Sequence, residues 1–117
     1  MSNPQKRKGS AFELAVARYL SEHGVECERT RAGWTDDRGD LDGPGLVGWA
    51  VECKDHARID LAGFTDQAVL EATHKAIATR RVVRPVAVIK RRGKSVGDAY
   101  CVIPLAVLAD LMKELDR

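Results

Sequence analysis

The chain has 117 residues, of which 44% are hydrophobic and 31% charged, and its formal net charge is +2. That length suits one domain able to bury a core, and no run approaches the roughly 20 apolar residues of a membrane-spanning helix. The opening MSNPQKRKGS is basic but has no apolar stretch behind it, so no signal peptide is expected.

In chain order, the first expectation is a helix over 9–23, where Phe12, Val16, Tyr19 and Leu20 recur at helical spacing before Gly24 stops it. VECERTR, 25–31, alternates like a strand, and AGWTDDRGDLDGPG is a loop rich in Gly and Asp. LVGWAVECK, 46–54, reads as a strand, and Asp60 suits the N-cap of a helix of about 61–79. RPVAVIKR, 84–91, reads as a buried strand; RGKSVGD is a turn, and AYCVI returns as the second strand of a hairpin. PLAVLADLMKEL, 104–115, is a closing helix with Pro104 near its first turn. The order helix, strand, strand, helix, strand, strand, helix predicts an α/β domain over 1–117, a mixed sheet covered by helices on both sides, with 1–8 as a flexible basic N-terminus.

The small net charge hides a segregation. No acidic residue lies between Glu71 and Asp98, a window that holds Lys75, Arg80, Arg81, Arg84, Lys90, Arg91, Arg92 and Lys94. Lys6, Arg7 and Lys8 add to the basic set, while Asp36, Asp37, Asp40 and Asp42 cluster elsewhere. Such a basic surface is the footprint of a polyanion binder; the plainer reading is a solvated face. Cys27, Cys53 and Cys101 are far apart and lack zinc-ligand spacing. Free thiols suit a reducing, cytoplasmic compartment.

The strand 46–54 ends in two charges. With a two-residue period, Val47, Trp49, Val51 and Cys53 share an apolar face, and Leu46, Gly48, Ala50, Glu52 and Lys54 share the other. Glu52 and Lys54 therefore sit together where that second face turns polar, which by itself is a weak surface ion pair. A short Gly/Pro-rich connection to GDLD predicts a hairpin that returns Asp40 to the side of Glu52. Two carboxylates and the backbone carbonyl of Cys53 form an oxygen-rich set suited to Mg²⁺ or Mn²⁺. A neighbouring lysine can orient a metal-bound water or hold developing negative charge. Asp42 competes with Asp40, two residues away on the same side of an extended chain. Asp36 and Asp37 read as loop or capping residues.

GD at 39–40 followed by ECK at 52–54 resembles the PD-(D/E)XK nuclease signature, and RKGSAFELAVARYL is similar to the N-terminal helix of archaeal-type Holliday junction resolvases. DRGDLDGPGLVGWAVECKDHARIDLAGFTDQA also resembles junction-resolvase-like proteins of actinobacterial phages. The resemblance covers Lys8 to the strand at 98–103 and implies a restriction-endonuclease-like mixed central sheet flanked by helices in three α/β/α layers. It further implies that Glu13, five positions after Lys8, joins Asp40 and Glu52 around a Mg²⁺ site, with Lys54 as the catalytic lysine. Leu41 after Asp40 matches the family motif and favours Asp40 over Asp42. Some relatives carry a glutamine after this strand that orients water or a phosphate, and Gln67 is the candidate; a solvated stripe of Gln67, Glu71 and His74 is the alternative. Two positions depart from the pattern: Gly39 replaces the usual proline, and Leu14 stands where several archaeal resolvases have a basic residue.

The expected DNA contacts are Lys6, Arg7, Lys8 and Ser10 before Glu13, Arg29 and Arg31 leading to the acidic loop, Arg58 after the ECK strand, and Lys90, Arg91 and Arg92 at the second hairpin. Such residues contact phosphates without reading sequence. Trp34 could stack at a branch point or pack locally. No sequence-reading motif is evident, so recognition by DNA shape is expected. The resulting expectation is a Mg²⁺-dependent endodeoxyribonuclease, a homodimeric Holliday junction resolvase whose paired cuts need two sites about a two-fold axis. The last helix, with Leu105, Leu108, Leu111, Met112 and Leu115, is a candidate for part of that interface or ordinary core. A flap or nicking nuclease with the same site, and a DNA-binding module that cuts nothing, are the alternatives.

Overall fold

The computed structural model describes residues 4–30 and 38–116, with side chains from residue 8 onward. The elements are α1 (Pro4–Glu22), β1 (Glu28–Arg29), β2 (Leu41–Asp42), β3 (Trp49–Lys54), α2 (Leu61–Thr79), β4 (Arg84–Ile89), β5 (Tyr100–Val102) and α3 (Leu105–Leu115). Short 3-10 turns occupy Pro44–Leu46 and Val96–Asp98. The strands form one mixed sheet in the order β1-β2-β3-β4-β5. Only β3 and β4 run parallel, as the α2 crossover between them requires. With its helices the sheet makes the three-layer α/β/α arrangement expected from the order of elements.

Helix α1 covers one face of the sheet. Phe12, Val16 and Ala17 bury against Leu41, Leu46, Val51, Cys53 and Val88. Gly24 ends the helix as expected: at φ +88° it adopts a left-handed conformation, and the Val25 N–H turns back to the Leu20 carbonyl. Helix α2 covers the opposite face with Phe64 and Ala68 against Ala87 and Ile89. Its N-cap is Asp60, whose side chain accepts the Gly63 N–H at 2.9 Å.

Four expectations need correction. Helix α1 begins at Pro4 and not at residue 9, proline being favoured at that position. Of the strand expected over 25–31, the described residues 25–30 form only the two-residue Glu28–Arg29, and Arg31 lies outside the described residues. The strand over 46–54 starts only at Trp49, because the chain turns through Pro44–Leu46; Leu46 enters the core and Val47 is 43% exposed, the reverse of simple alternation. Finally, Ala50, Val51, Glu52 and Cys53 are all buried in succession. Strand β3 lies between β2 and β4 with a helix over each face, so neither face meets solvent.

Candidate active site

The hairpin delivers Asp40 to β3. Leu41 pairs with Val51, the Asp40 N–H donates to the Val51 carbonyl at 2.8 Å, and Asp40 Oδ2 accepts the Cys53 N–H at 2.8 Å. Gly39 allows this approach. Its φ is +109°, and a Cβ there would lie 2.9 Å from the Val51 carbonyl oxygen and 3.0 Å from its nitrogen. A proline, held near φ −65°, cannot take that conformation, which accounts for glycine at the position where the resembled signature has proline.

Asp40, Glu52, Cys53 and Lys54 line a cavity of about 350 Å³ together with Lys8, Gly9, Glu13, Asp55, His56 and Ala57. Burial, then the Glu52 charge, pushes the Asp40 carboxyl up to about 8 against the opposing Cys53 N–H. Burial, then the Glu71 carboxyl, likewise pushes Glu52 up to about 8, opposed by Asp40 and Lys54. Two carboxylates in low dielectric beside one another retain protons unless a cation neutralises them. Burial pushes the Cys53 thiol far above the ordinary range, so its side chain is core and not nucleophile.

Lys54 is held tightly. Its Nζ lies 2.6 Å from Gln67 Oε1, 3.4 Å from Glu52 Oε1 and 5.4 Å from the centroid of the Phe64 ring. Gln67 Nε2 in turn donates to Glu52 Oε1 at 3.2 Å and to Glu71 Oε1 at 3.4 Å. The solvated stripe considered for Gln67, Glu71 and His74 is therefore half wrong: Gln67 and Glu71 face inward onto β3, Glu71 is 2% exposed, and only His74 lies outward. Sequence spacing put Glu71 one turn from Gln67, but which side of α2 meets the sheet was not legible.

Asp42 has a different partner. Lys75 is buried, and its Nζ donates to Asp42 Oδ1 at 3.0 Å, to the Leu46 carbonyl at 2.7 Å and to the Trp49 carbonyl at 2.8 Å. Three donors meet three acceptors, so the lysine ties both ends of the β2–β3 connection to α2. Asp42 is thereby a counterion to Lys75, whereas Asp40 lines the cavity. In the sequence Lys75 is one residue of a basic window, and nothing in its context marks it as internal.

Glu13 reaches the cavity wall and also ion-pairs with Arg29, Nε to Oε2, at 3.3 Å. Asp55, unremarked in the sequence, has a side chain only 2% exposed and ion-pairs with Lys8 at 3.5 Å and Lys90 at 3.7 Å. Ser10 is half-buried on α1, and Arg58, Lys90 and Arg92 are exposed. Arg91 lies 4.7 Å from the centroid of the Tyr100 ring. Lys6 and Arg7 belong to α1, but their side chains, like Arg31, Trp34, Asp36 and Asp37, lie outside what the structure describes.

Among the described residues, no three His, Cys, Asp or Glu side chains are grouped at metal-ligand spacing. The donors present nevertheless suit a hard divalent cation: two carboxylates meet at the cavity, and Glu52 Oε2 is buried without a hydrogen-bond partner. The described helices include none long and apolar enough to cross a membrane. Compared with known proteins, the chain matches no family model, no curated protein and no solved structure.

Proposed function

We propose that this chain is a metal-dependent, structure-selective endodeoxyribonuclease that resolves four-way DNA junctions through Asp40, Glu52 and Lys54. The observation that carries the proposal is the convergence of half-buried Asp40 and buried Glu52 on one cavity, with Lys54 held 3.4 Å from Glu52. Asp40, Glu52 and the Cys53 carbonyl would hold Mg²⁺ or Mn²⁺, with Glu13 at the wall. When bound, the ion supplies an acidified water and neutralises phosphate charge. Lys54 would stabilise the negative charge that develops on the phosphate, and Gln67, which fixes the Lys54 ammonium at 2.6 Å, would keep it aimed. The products would be a 5′-phosphate and a 3′-hydroxyl.

Ser10, Lys8, Arg29, Arg58, Lys90, Arg91 and Arg92, with Lys6, Arg7 and Arg31, would contact backbone phosphates. Symmetric nicks require a homodimer. The three free cysteines suit a reducing cytoplasm, in a prokaryotic cell or a phage-infected host. Two observations favour the non-catalytic DNA-binding module as second reading: Glu13 is engaged by Arg29, and no three-ligand cluster exists among the described residues.

Labelled four-way junction, linear duplex and flap, each with Mg²⁺ or EDTA, separate the readings. Paired metal-dependent nicks confined to the junction are expected, and Asp40→Asn or Glu52→Gln should lower the rate by at least about a hundredfold. Cleavage spread over flaps indicates the broader nuclease. Binding with no metal-dependent cutting indicates the module, and full cleavage by either variant rejects the site.

A further inference from the structure

We propose that the cavity between α1 and the β4–β5 hairpin is a nucleobase pocket, which receives the base next to the phosphate held at the Asp40–Glu52 cavity. The proposal rests on the nuclease reading and says how that site would hold its substrate strand. The pocket, about 240 Å³, has a floor of Phe12, Ala15, Val96 and Ala99 and a rim of Lys90, Arg91 and Lys94. An apolar slot below a cationic rim matches the two halves of a nucleotide, a flat base with little charge and an anionic phosphate. No acidic side chain lines it, and Ser95 is its one neutral polar side chain, so the slot has few groups that would distinguish one base from another. Such a pocket holds any base, as shape-selective recognition requires.

Its placement ties it to the carboxylates. Helix α1 is a wall of both cavities: Lys8 and Glu13 line the first, and Phe12 and Ala15 line the second. Lys90 lines the base pocket and reaches back 3.7 Å to Asp55, which lines the carboxylate cavity. On this proposal, a strand whose phosphate meets Lys54 would carry its neighbouring nucleotide past Lys90 to the apolar slot. Extruding a base costs a few kcal/mol, and least where pairing is already broken. The pocket would thus select for branch points.

The test uses four-way junctions carrying 2-aminopurine at one nucleotide at a time around the branch point. They are titrated with the full chain in EDTA and with the Glu52→Gln chain in Mg²⁺, and the anisotropy of a distant label reports binding. A several-fold rise in 2-aminopurine emission is expected at one position beside the cut phosphate. Ala15→Leu on α1 and Ala99→Leu on the β4–β5 connection, which fill the slot, should abolish that rise while junction binding persists. Binding with no responsive position, or a rise unaltered in both variants, overturns the pocket and leaves the nuclease reading standing. Failure to bind any DNA in either condition overturns both.

Discussion

Gly39 shows how one backbone angle admits a functional side chain. At φ +109°, with Val51 backbone atoms 2.9–3.0 Å from any added Cβ, it lets Asp40 pair with β3. Gly39→Ala should cost about 2 kcal/mol or more through strain and forced displacement of Val51, read as a lower urea midpoint together with loss of cleavage. The carboxylates carry a second expectation. Asp40 and Glu52 are raised from ordinary carboxylate values to about 8 in the folded chain. The folded state therefore holds more protons than the unfolded one between roughly pH 4 and pH 8, and stability falls as pH rises through that window. In EDTA, the melting temperature should fall across it, and Asp40→Asn and Glu52→Gln should each flatten the fall. Mg²⁺ should raise the melting temperature of the wild type at pH 8 and have little effect on either variant; equal effects on all three would remove the metal from this site.

At the scale of elements, α2 does two jobs that sequence spacing does not separate. Its Phe64, Ala68 and Gln67 cover the Glu52 face of β3, while Lys75, two turns later, closes the β2–β3 connection. Lys75→Met removes the donor shared by Asp42 and two carbonyls and should destabilise by about 3 kcal/mol, at the lower end for a broken buried pair because Asp42 is 32% exposed. Chemical denaturation measures this, and adding Asp42→Asn should recover part of the loss. The α2 N-cap, the end of α1 and the β4–β5 hairpin were legible because each depends on neighbours in the chain: Asp60 with Gly63, Val25 with Leu20 across Gly24. The burial of Glu52 was not, because it depends on a helix beginning nine residues later at Leu61.

The whole molecule leaves α3 thinly packed. No residue of α3 is buried; Leu105 is 79% exposed, Met112 55% and Leu115 83%, and Glu114 is anchored to Arg84. The alternatives of core and interface are thus narrowed, since α3 supplies no buried core. A homodimer of twice 12.8 kDa is expected by sedimentation. Leu105→Glu with Met112→Glu should give a monomer that unfolds within about 1 kcal/mol of the wild-type fold, as exposed substitutions do. A monomeric wild type, or a dimer that survives the double variant, would remove α3 from the interface and weaken the paired-cut proposal.

What the sequence alone determined was local: the helices from their apolar spacing, their caps from Asp60 and Gly24, and the hairpin that returns Asp40 to Glu52. Those features follow from periods of two and 3.6 residues and from the conformations that particular residues prefer. Tertiary structure decided the rest. It buried both faces of β3, turned Gln67 and Glu71 inward, spent Asp42 on Lys75, and set Asp55 between Lys8 and Lys90. The physical reason is that desolvation and ion pairing depend on what packs against a residue across the fold, and that partner stands tens of positions away in the chain.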